Sequence, residues 1–310
     1  MRVLLLSLLM SACVSVGAQS IEFASEQQAR TVLTTRDDFI AHLSPFDRKV
    51  RLKTDRDVSE QEFLDFVGRS VLSWTPDEQH LVETTWTSLQ PALAHLGPLP
   101  FPKTILFIKT SGEEEDGAEY TRSNAIILPQ PLFVRVRKAD DMQPVLAHEL
   151  FHILSRNAPD LRDRAYAAIG FQRCAEIAFP PDLASRKLTD PDAPLNDHAI
   201  QVRVSGRGIW AVPILYSKYP DYDPAKGTTL FDYLQFRFLE VQRSGDPPPG
   251  HRAPIDPARI LGFYEQVGRN TEYVIHPEEI LADNFRFLLA GTPNHPSPDV
   301  LKQLAAALKQ

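Results

Sequence analysis

The spacing of apolar positions changes twice along this chain and so divides it. Over 20–100 the apolar residues recur at helical intervals, and helix-start signals interrupt them. Thr35 with Asp38 is expected to cap a segment to about residue 43, and Ser44-Pro45 begins another turn. Ser59-Glu60-Gln61-Glu62 reads as a capping box opening a helix to about residue 72. Thr75-Pro76-Asp77-Glu78 is a second, with proline at the first helical position, and Gly97 marks its end. Trp74 and Trp86 fall on apolar stripes and read as core. From 103 to 134 the pattern becomes that of strands. Residues 104–109 form one buried run and 120–128 a second, separated by an acidic loop over 111–117. Pro129 and Pro131 end the second run, and proline there marks an edge strand.

Helical periodicity then returns. Asp140-Asp141 is expected as an N-cap and Pro144 as the opening of a helix through residue 154. A further helix is expected over 161–179, carrying Cys174 as a small core residue. The stretch 182–196 reads as an irregular loop in which Asp190, Asp192 and Asp197 are solvated turn residues. Residues 200–204 and 209–217 read as a hairpin around Ser205-Gly206-Arg207-Gly208. The run 230–241 fits a strand and a helical stripe equally well. A proline-rich loop over 245–257 follows, with helices over 260–267, from Pro277, and from Pro298. The order implies an α+β protein: a helical N-terminal region (19–100), a core of strands and helix (101–160), and a C-terminal part (161–310) with an inserted β-containing subdomain.

The first residues differ from all of this. Met1-Arg2 precedes an apolar stretch, and Val16-Gly17-Ala18 offers small residues before Gln19. That is the pattern of a signal peptide over 1–18, too short to span a bilayer. Leu9-Met10-Ser11-Ala12-Cys13 gives a rival reading as a lipoprotein box acylated on Cys13. Export leaves one cysteine, Cys174, which excludes a disulfide framework. With 43% hydrophobic residues in 310, the chain can build a sizeable core. A net charge of −7 argues against a nucleic-acid footprint, and no stable membrane span is expected. Proline is abundant at 26 residues against 14 glycines, which favours short helices and stiff connections over flexible linkers.

The chemistry concentrates in Val145-Leu146-Ala147-His148-Glu149-Leu150-Phe151-His152-Ile153-Leu154. Residues four apart share a helix face, so His148 and His152 can direct their imidazoles to one metal ion. Glu149 sits beside that face, placed to take a proton from a water. Neutral imidazole suits Zn²⁺, and H-E-x-x-H on a helix is the pattern of zinc hydrolases. An apolar helix carrying His, Glu and His without partners would be costly, and a metal removes that cost.

A third protein ligand is required. A histidine close by, in H-E-x-x-H-x-x-G-x-x-H, is ruled out because Ser155 and Ala158 stand at its glycine and histidine positions. Glu176 and Glu279 compete. Glu176 has thermolysin-like spacing from His152, yet Pro180 stands where an accompanying acid would be needed. Glu279 lies one helical turn before Asp283, so one carboxylate can bind the metal while the other orients a histidine. Ala282 between them is small enough for two helices to approach. With Glu279 preferred, the segments 103–160 and 273–289 resemble the gluzincin metallopeptidases. The resemblance implies a zincin-like core. The distance from His152 to Glu279 exceeds that of thermolysin-like enzymes and calls for an intervening subdomain. It also implies that Asn124-Ala125, like the Asn-Ala of the thermolysin cleft strand, holds substrate by β-augmentation.

The expected activity is that of an exported zinc metallohydrolase acting on peptide or protein substrates, with Glu149 as general base. The alternative is a catalytically silent, zinc-stabilised binding or assembly protein of the cell envelope. Glu149 discriminates, since a structural site has no need of it. Tyr264, Tyr273, His198 and His276 are all candidates for the oxyanion donor. Removal of 19–100 as a pro-segment is a further possibility.

Overall fold

The computed structural model describes residues 19–242 and 253–309. The expected signal peptide with Cys13, and much of the proline-rich loop over 245–257, lie outside them. Nine strands are described: β1 (Ser20–Phe23), β2 (Val71–Leu72), β3 (Thr104–Thr110), β4 (Tyr120–Arg122), β5 (Ala125–Pro129), β6 (Phe171–Arg173), β7 (His198–Val204), β8 (Arg207–Ser217) and β9 (Leu234–Val241). The helices are α1 (Glu26–Leu33), α2 (Asp38–His42), α3 (Pro45–Leu52), α4 (Glu60–Arg69), α5 (Pro76–His95), α6 (Gln130–Arg135), α7 (Ala139–Asn157), α8 (Pro159–Ala168), α9 (Pro181–Ala184), α10 (Leu230–Tyr233), α11 (Tyr264–Val267), α12 (Pro277–Ala290) and α13 (Pro298–Leu308). The chain is α+β.

The first sheet runs β1-β3-β5-β4, with β2 pairing the far end of β3. β1 and β5 are parallel to β3, and β4 is antiparallel to β5. β3 is apolar over its centre, Ile105 to Ile108, because both its faces are covered. Ile105 and Phe107 enter a core built with α5, α7 and α12, whereas Leu106 and Ile108 enter another built with α1, α2 and α4. The apolar run over 120–128 is not one strand. Ser123 takes a left-handed φ of 54° and folds it into the β4–β5 hairpin, leaving β4 at the edge.

The first hundred residues contribute to this body. β1 hydrogen-bonds along β3, and α5 packs on α7. From α3, the buried Arg51 reaches Glu115 at 2.7 Å, Asp47 at 2.7 Å and the Thr189 carbonyl at 3.0 Å. Asp47 also accepts from the Thr189 backbone N–H at 3.0 Å. Removing one member of a buried ion pair of this kind costs about 3–5 kcal/mol.

The second sheet, β6-β7-β8-β9, is antiparallel. Pairing in its central hairpin continues to Val204–Arg207, so the turn is only Ser205-Gly206. Both residues have positive φ, 51° and 80°, the geometry that matches strand twist and that glycine takes freely. The ambiguous run 230–241 is both things in succession, the single turn α10 and then β9. The helix expected over 161–179 stops at Ala168. Gly170 has φ 89°, and a side chain there would meet Gln266 at 2.3 Å, so the chain turns into β6. Cys174 therefore lies beyond a strand rather than on a helix. Likewise the segment 260–267 is helical only over α11.

α7 and α12 position the site. α7 starts earlier than its motifs suggest, at Ala139, so Asp140 and Asp141 fall in its first turn and Pro144 lies inside it. Leu146, Leu150 and Ile153 anchor it in the core, and Phe151 meets Phe285 of α12 with ring centroids 5.7 Å apart. α12 begins at a cap in which the His276 ring accepts from the Glu278 N–H at 3.1 Å. Ala282 is fully buried where the two helices meet. Among the described residues, no helix is long and apolar enough to cross a membrane.

Candidate metal centre

The α7–α12 seam brings His148, His152, Glu279 and Asp283 together. The His148 Nε2 is 3.1 Å from a Glu279 oxygen, and the His152 Nε2 is 3.6 Å from the other. Both imidazoles thus aim the same nitrogen at one carboxylate. Their Nδ1 atoms point the opposite way, each to an acid of its own. Asp283 lies 3.1 Å from the His148 Nδ1. Glu278 lies 2.9 Å from the His152 Nδ1. An Nδ1–H held by a carboxylate leaves the Nε2 lone pair directed into the site.

These acids are themselves held. Glu278 accepts from the Ser155 and Tyr166 hydroxyls, each at 2.5 Å. Burial raises the Glu278 carboxyl, but His152, Ser155 and Tyr166 outweigh it and keep the group below the usual carboxylate range. Asp283 accepts from Thr271 and pairs with Arg286 at 2.9 Å. Burial lowers the His148 ring, yet its bonds to Asp283 and Glu279 hold it at about 10. His152 is likewise raised, by Asp192, Glu279 and Glu278 against burial. The surroundings therefore favour positive charge between the two rings.

Ligand atoms of His148, His152 and Glu279 all lie within 4.8 Å of one another, so the three could hold a metal ion. Two imidazole nitrogens and a carboxylate are a donor set that divalent transition metals accept. Glu149 supplies a further indication. It is 3% exposed, faces the same cleft, and its Oε2 is buried without a hydrogen-bond partner. Burial and the neighbouring Asp192 push its carboxyl up to about 8, against the pull of His152 and His148. A buried orphan oxygen beside two inward imidazoles fits a site completed by a cation and water.

The competing ligand, Glu176, is elsewhere. It lies past β6, half-exposed, and pairs with the His42 Nε2 at 2.9 Å. Asn124 and Ala125 do not border the cleft either. The Asn124 side chain donates to the Thr104 carbonyl at 2.9 Å, and Ala125 is fully buried on the sheet face turned toward α1 and α4. The β4–β5 turn puts Ala118, Glu119 and Tyr120 on the cleft instead. Of the four candidate oxyanion donors, Tyr273 alone lines the cleft. His198 is engaged by Asp197 at 2.6 Å and Asp163 at 3.2 Å, His276 caps α12, and Tyr264 stacks under Arg269. Burial of its hydroxyl end, then the charges of Glu279, Asp190, Asp192 and Glu149, raise Tyr273 well above the usual tyrosine range, so it keeps its proton.

Sequence reasoning missed Glu278, although its place one residue before Glu279 was a usable signal. Neighbours on a helix diverge by about 100°, so one faces each histidine. It also took Asp190, Asp192 and Asp197 for solvated turn residues. Asp197 is buried against His198. Asp192 accepts from the Thr121 N–H at 2.9 Å and lies 3.5 Å from Arg156, tying the loop to the edge strand. Asp190 and Asp192 both line the cleft, a cavity of about 330 Å³ whose lining includes a group of leucines, Leu188, Leu215, Leu230 and Leu234. Comparison with protein-family models, curated proteins and solved structures gives no significant match.

Proposed function

We propose that this chain is an exported zinc-dependent hydrolase of the gluzincin kind, a peptidase with a zincin-like core. The observation that carries the reading is the opposed orientation of the two rings. Both Nε2 atoms converge on Glu279 while both Nδ1 atoms are held by separate carboxylates.

His148, His152 and Glu279 would hold the ion. When bound there, zinc supplies a Lewis acid that polarises a carbonyl and lowers the pKa of water. The protein residues do the rest. The Glu149 carboxylate takes the proton of the attacking water and later gives it to the leaving amine. Tyr273, kept protonated, donates its O–H to the oxygen that becomes negative. Glu278 and Asp283 keep the rings from turning. The leucines of the lining exclude water from part of the cleft and strengthen each of these interactions.

Glu149→Gln tests the reading. The amide keeps the shape but cannot accept a proton, and Glu149 is not a proposed ligand. Metal content should stay at about one ion per chain, while cleavage of a denatured-protein mixture falls by about 10²–10⁴-fold. Cleavage by both proteins at equal rates would overturn the assignment of the base. Metal bound in both and cleavage by neither would favour a zinc-stabilised scaffold. Full metal occupancy in His148→Ala would overturn the site itself.

A further inference from the structure

We infer that Asp190 is a specificity-determining residue that receives a positively charged group of the substrate, an ammonium or guanidinium, beside the bond to be cleaved. The inference rests on the hydrolase reading above.

An audit of the cleft's acids carries it. Glu115 is paired with Arg51, and Glu119 with Arg135. Asp192 has Thr121 and Arg156. Glu279 and Asp283 meet the histidines. Two carboxylates remain, Glu149 and Asp190. The first is accounted for as the base. Asp190 has no Lys or Arg partner among the described residues, and its one hydrogen bond comes from the Asp192 backbone N–H at 2.9 Å.

Each nearby cation is paired with another carboxylate. Arg51 is committed to Asp47 and Glu115, Arg156 to Asp192 and the Pro191 carbonyl, and Arg286 to Asp283. A cleft carboxyl without a cationic partner marks a place that a ligand can complete. The loop is fixed on both sides. Thr189 is bound by Asp47 through backbone and hydroxyl at 3.0 and 2.9 Å, and Asp192 is bound to β4. Asp190 is therefore held in the cleft wall by the Asp192 N–H, with no cationic partner among the described residues. The buried orphan oxygen of Glu149 lies in the same cleft.

Asp192 adds a constraint on how the substrate lies. It takes the outward N–H of Thr121 on the edge strand, the group that an extended peptide would pair with. The strand edge is thus closed at that point by the loop that carries Asp190. The chain of the substrate ends or bends there, and a charged group at that place meets Asp190.

Binding and cleavage are measured separately. Zinc-loaded Glu149→Gln protein is titrated with four synthetic peptides that carry lysine or its uncharged isostere norleucine, each with a free or acetylated N-terminus. The cationic peptides should bind about tenfold tighter than the doubly neutral one. The Asp190→Asn change on the same background should shrink that ratio to less than threefold. Loss of the preference on acetylation assigns the site to the α-amine, and loss on the norleucine change assigns it to a side chain. In the protein with Glu149 intact, the same peptides give the cationic-to-neutral ratio of kcat/KM, which Asp190→Asn should lower to a similar degree. An unchanged ratio in binding would overturn the role of Asp190 even if cleavage is confirmed. A charge-selective binding ratio lost in Asp190→Asn, without any cleavage, would support the cation subsite and overturn the hydrolase reading instead.

Discussion

Replacing Glu278 by Gln isolates the contribution of the second carboxylate behind the candidate metal centre. Glu278 is 1% exposed, so its charge is not screened by salt. Glutamine keeps the volume and one oxygen to accept the His152 Nδ1–H. Its NH₂ would face the Tyr166 hydroxyl, which can rotate to accept, at the cost of the acceptor that the Tyr166 O–H has in the parent. What disappears is the negative charge. A hydrogen bond to a charged group contributes about 1.5–3 kcal/mol and a neutral one about 1 kcal/mol. The loss is then about 0.5–2 kcal/mol, or roughly 2- to 30-fold in metal affinity. Glu278 also favours the proton that competes for the His152 Nε2, and that competition weakens with it. The expected net effect is therefore near the middle of the range, about tenfold. Competition with a chelator of known affinity at pH 7.5 gives the number, and thermal melts of metal-free protein confirm that the fold persists. Tyr166→Phe is the control, since it removes one donor and keeps the charge, and it should move the affinity by less than Glu278→Gln. Metal affinity within twofold of the parent in Glu278→Gln, with the fold intact, would refute the view that this carboxylate sets the basicity and orientation of His152.

Two further outcomes follow from parts of the fold away from the candidate metal centre. A chain beginning at residue 101 should fail to fold rather than gain activity, because it lacks β1, α5 and the Asp47–Arg51 support of Thr189. A soluble 101–310 fragment with native circular dichroism and increased cleavage would show instead that 19–100 is a removable pro-segment. The second outcome concerns pH. Burial pushes the Glu115 carboxyl up to about 7 despite the pull of Arg51, with Glu114 and Asp47 pushing the same way. A folded-state value above the unfolded one means that folding takes up a proton. The stability it gives is fully present below about pH 4.5 and is lost as pH rises through about 7. Urea midpoints measured from pH 5 to 8 should fall more steeply in the parent than in Glu115→Gln, and identical slopes would count against this account.

How far the site was legible depended on how local each relation is. His148, Glu149 and His152 lie within one turn and a half of one helix, so sequence spacing alone sets their common face. Glu279 and Asp283 were legible for the same reason, as a pair on one face of a helix opened by Pro277. Their meeting with α7 is a matter of tertiary packing. The sequence hinted at it through Ala282, whose small side chain has value only where two helices approach. Glu176 has the thermolysin-like spacing, with Pro180 against it; what removes it in the structure is the positive φ at Gly170, which ends α8 before that residue can join a helix.

Relations across the sheets were less accessible, and their errors share a cause. The run 120–128 looked like one strand because every residue in it is compatible with extended backbone, and only the left-handed Ser123 breaks it. That turn carries Asn124-Ala125 away from the cleft and brings Glu119 and Tyr120 to it. Asp190 and Asp192 have the composition of a solvated loop. Their burial is imposed by α3, far away in sequence, through Asp47 and Arg51. No local pattern could have shown that Thr189 is bound from the other end of the chain. The same fact connects the N-terminal helices to the chemistry. They shape the cleft by fixing the loop that closes the edge of β4, and Asp190 on that loop is a cleft acid whose one hydrogen bond among the described residues comes from the Asp192 N–H. A helical region that looked chemically silent in sequence thus sets what the cleft can admit.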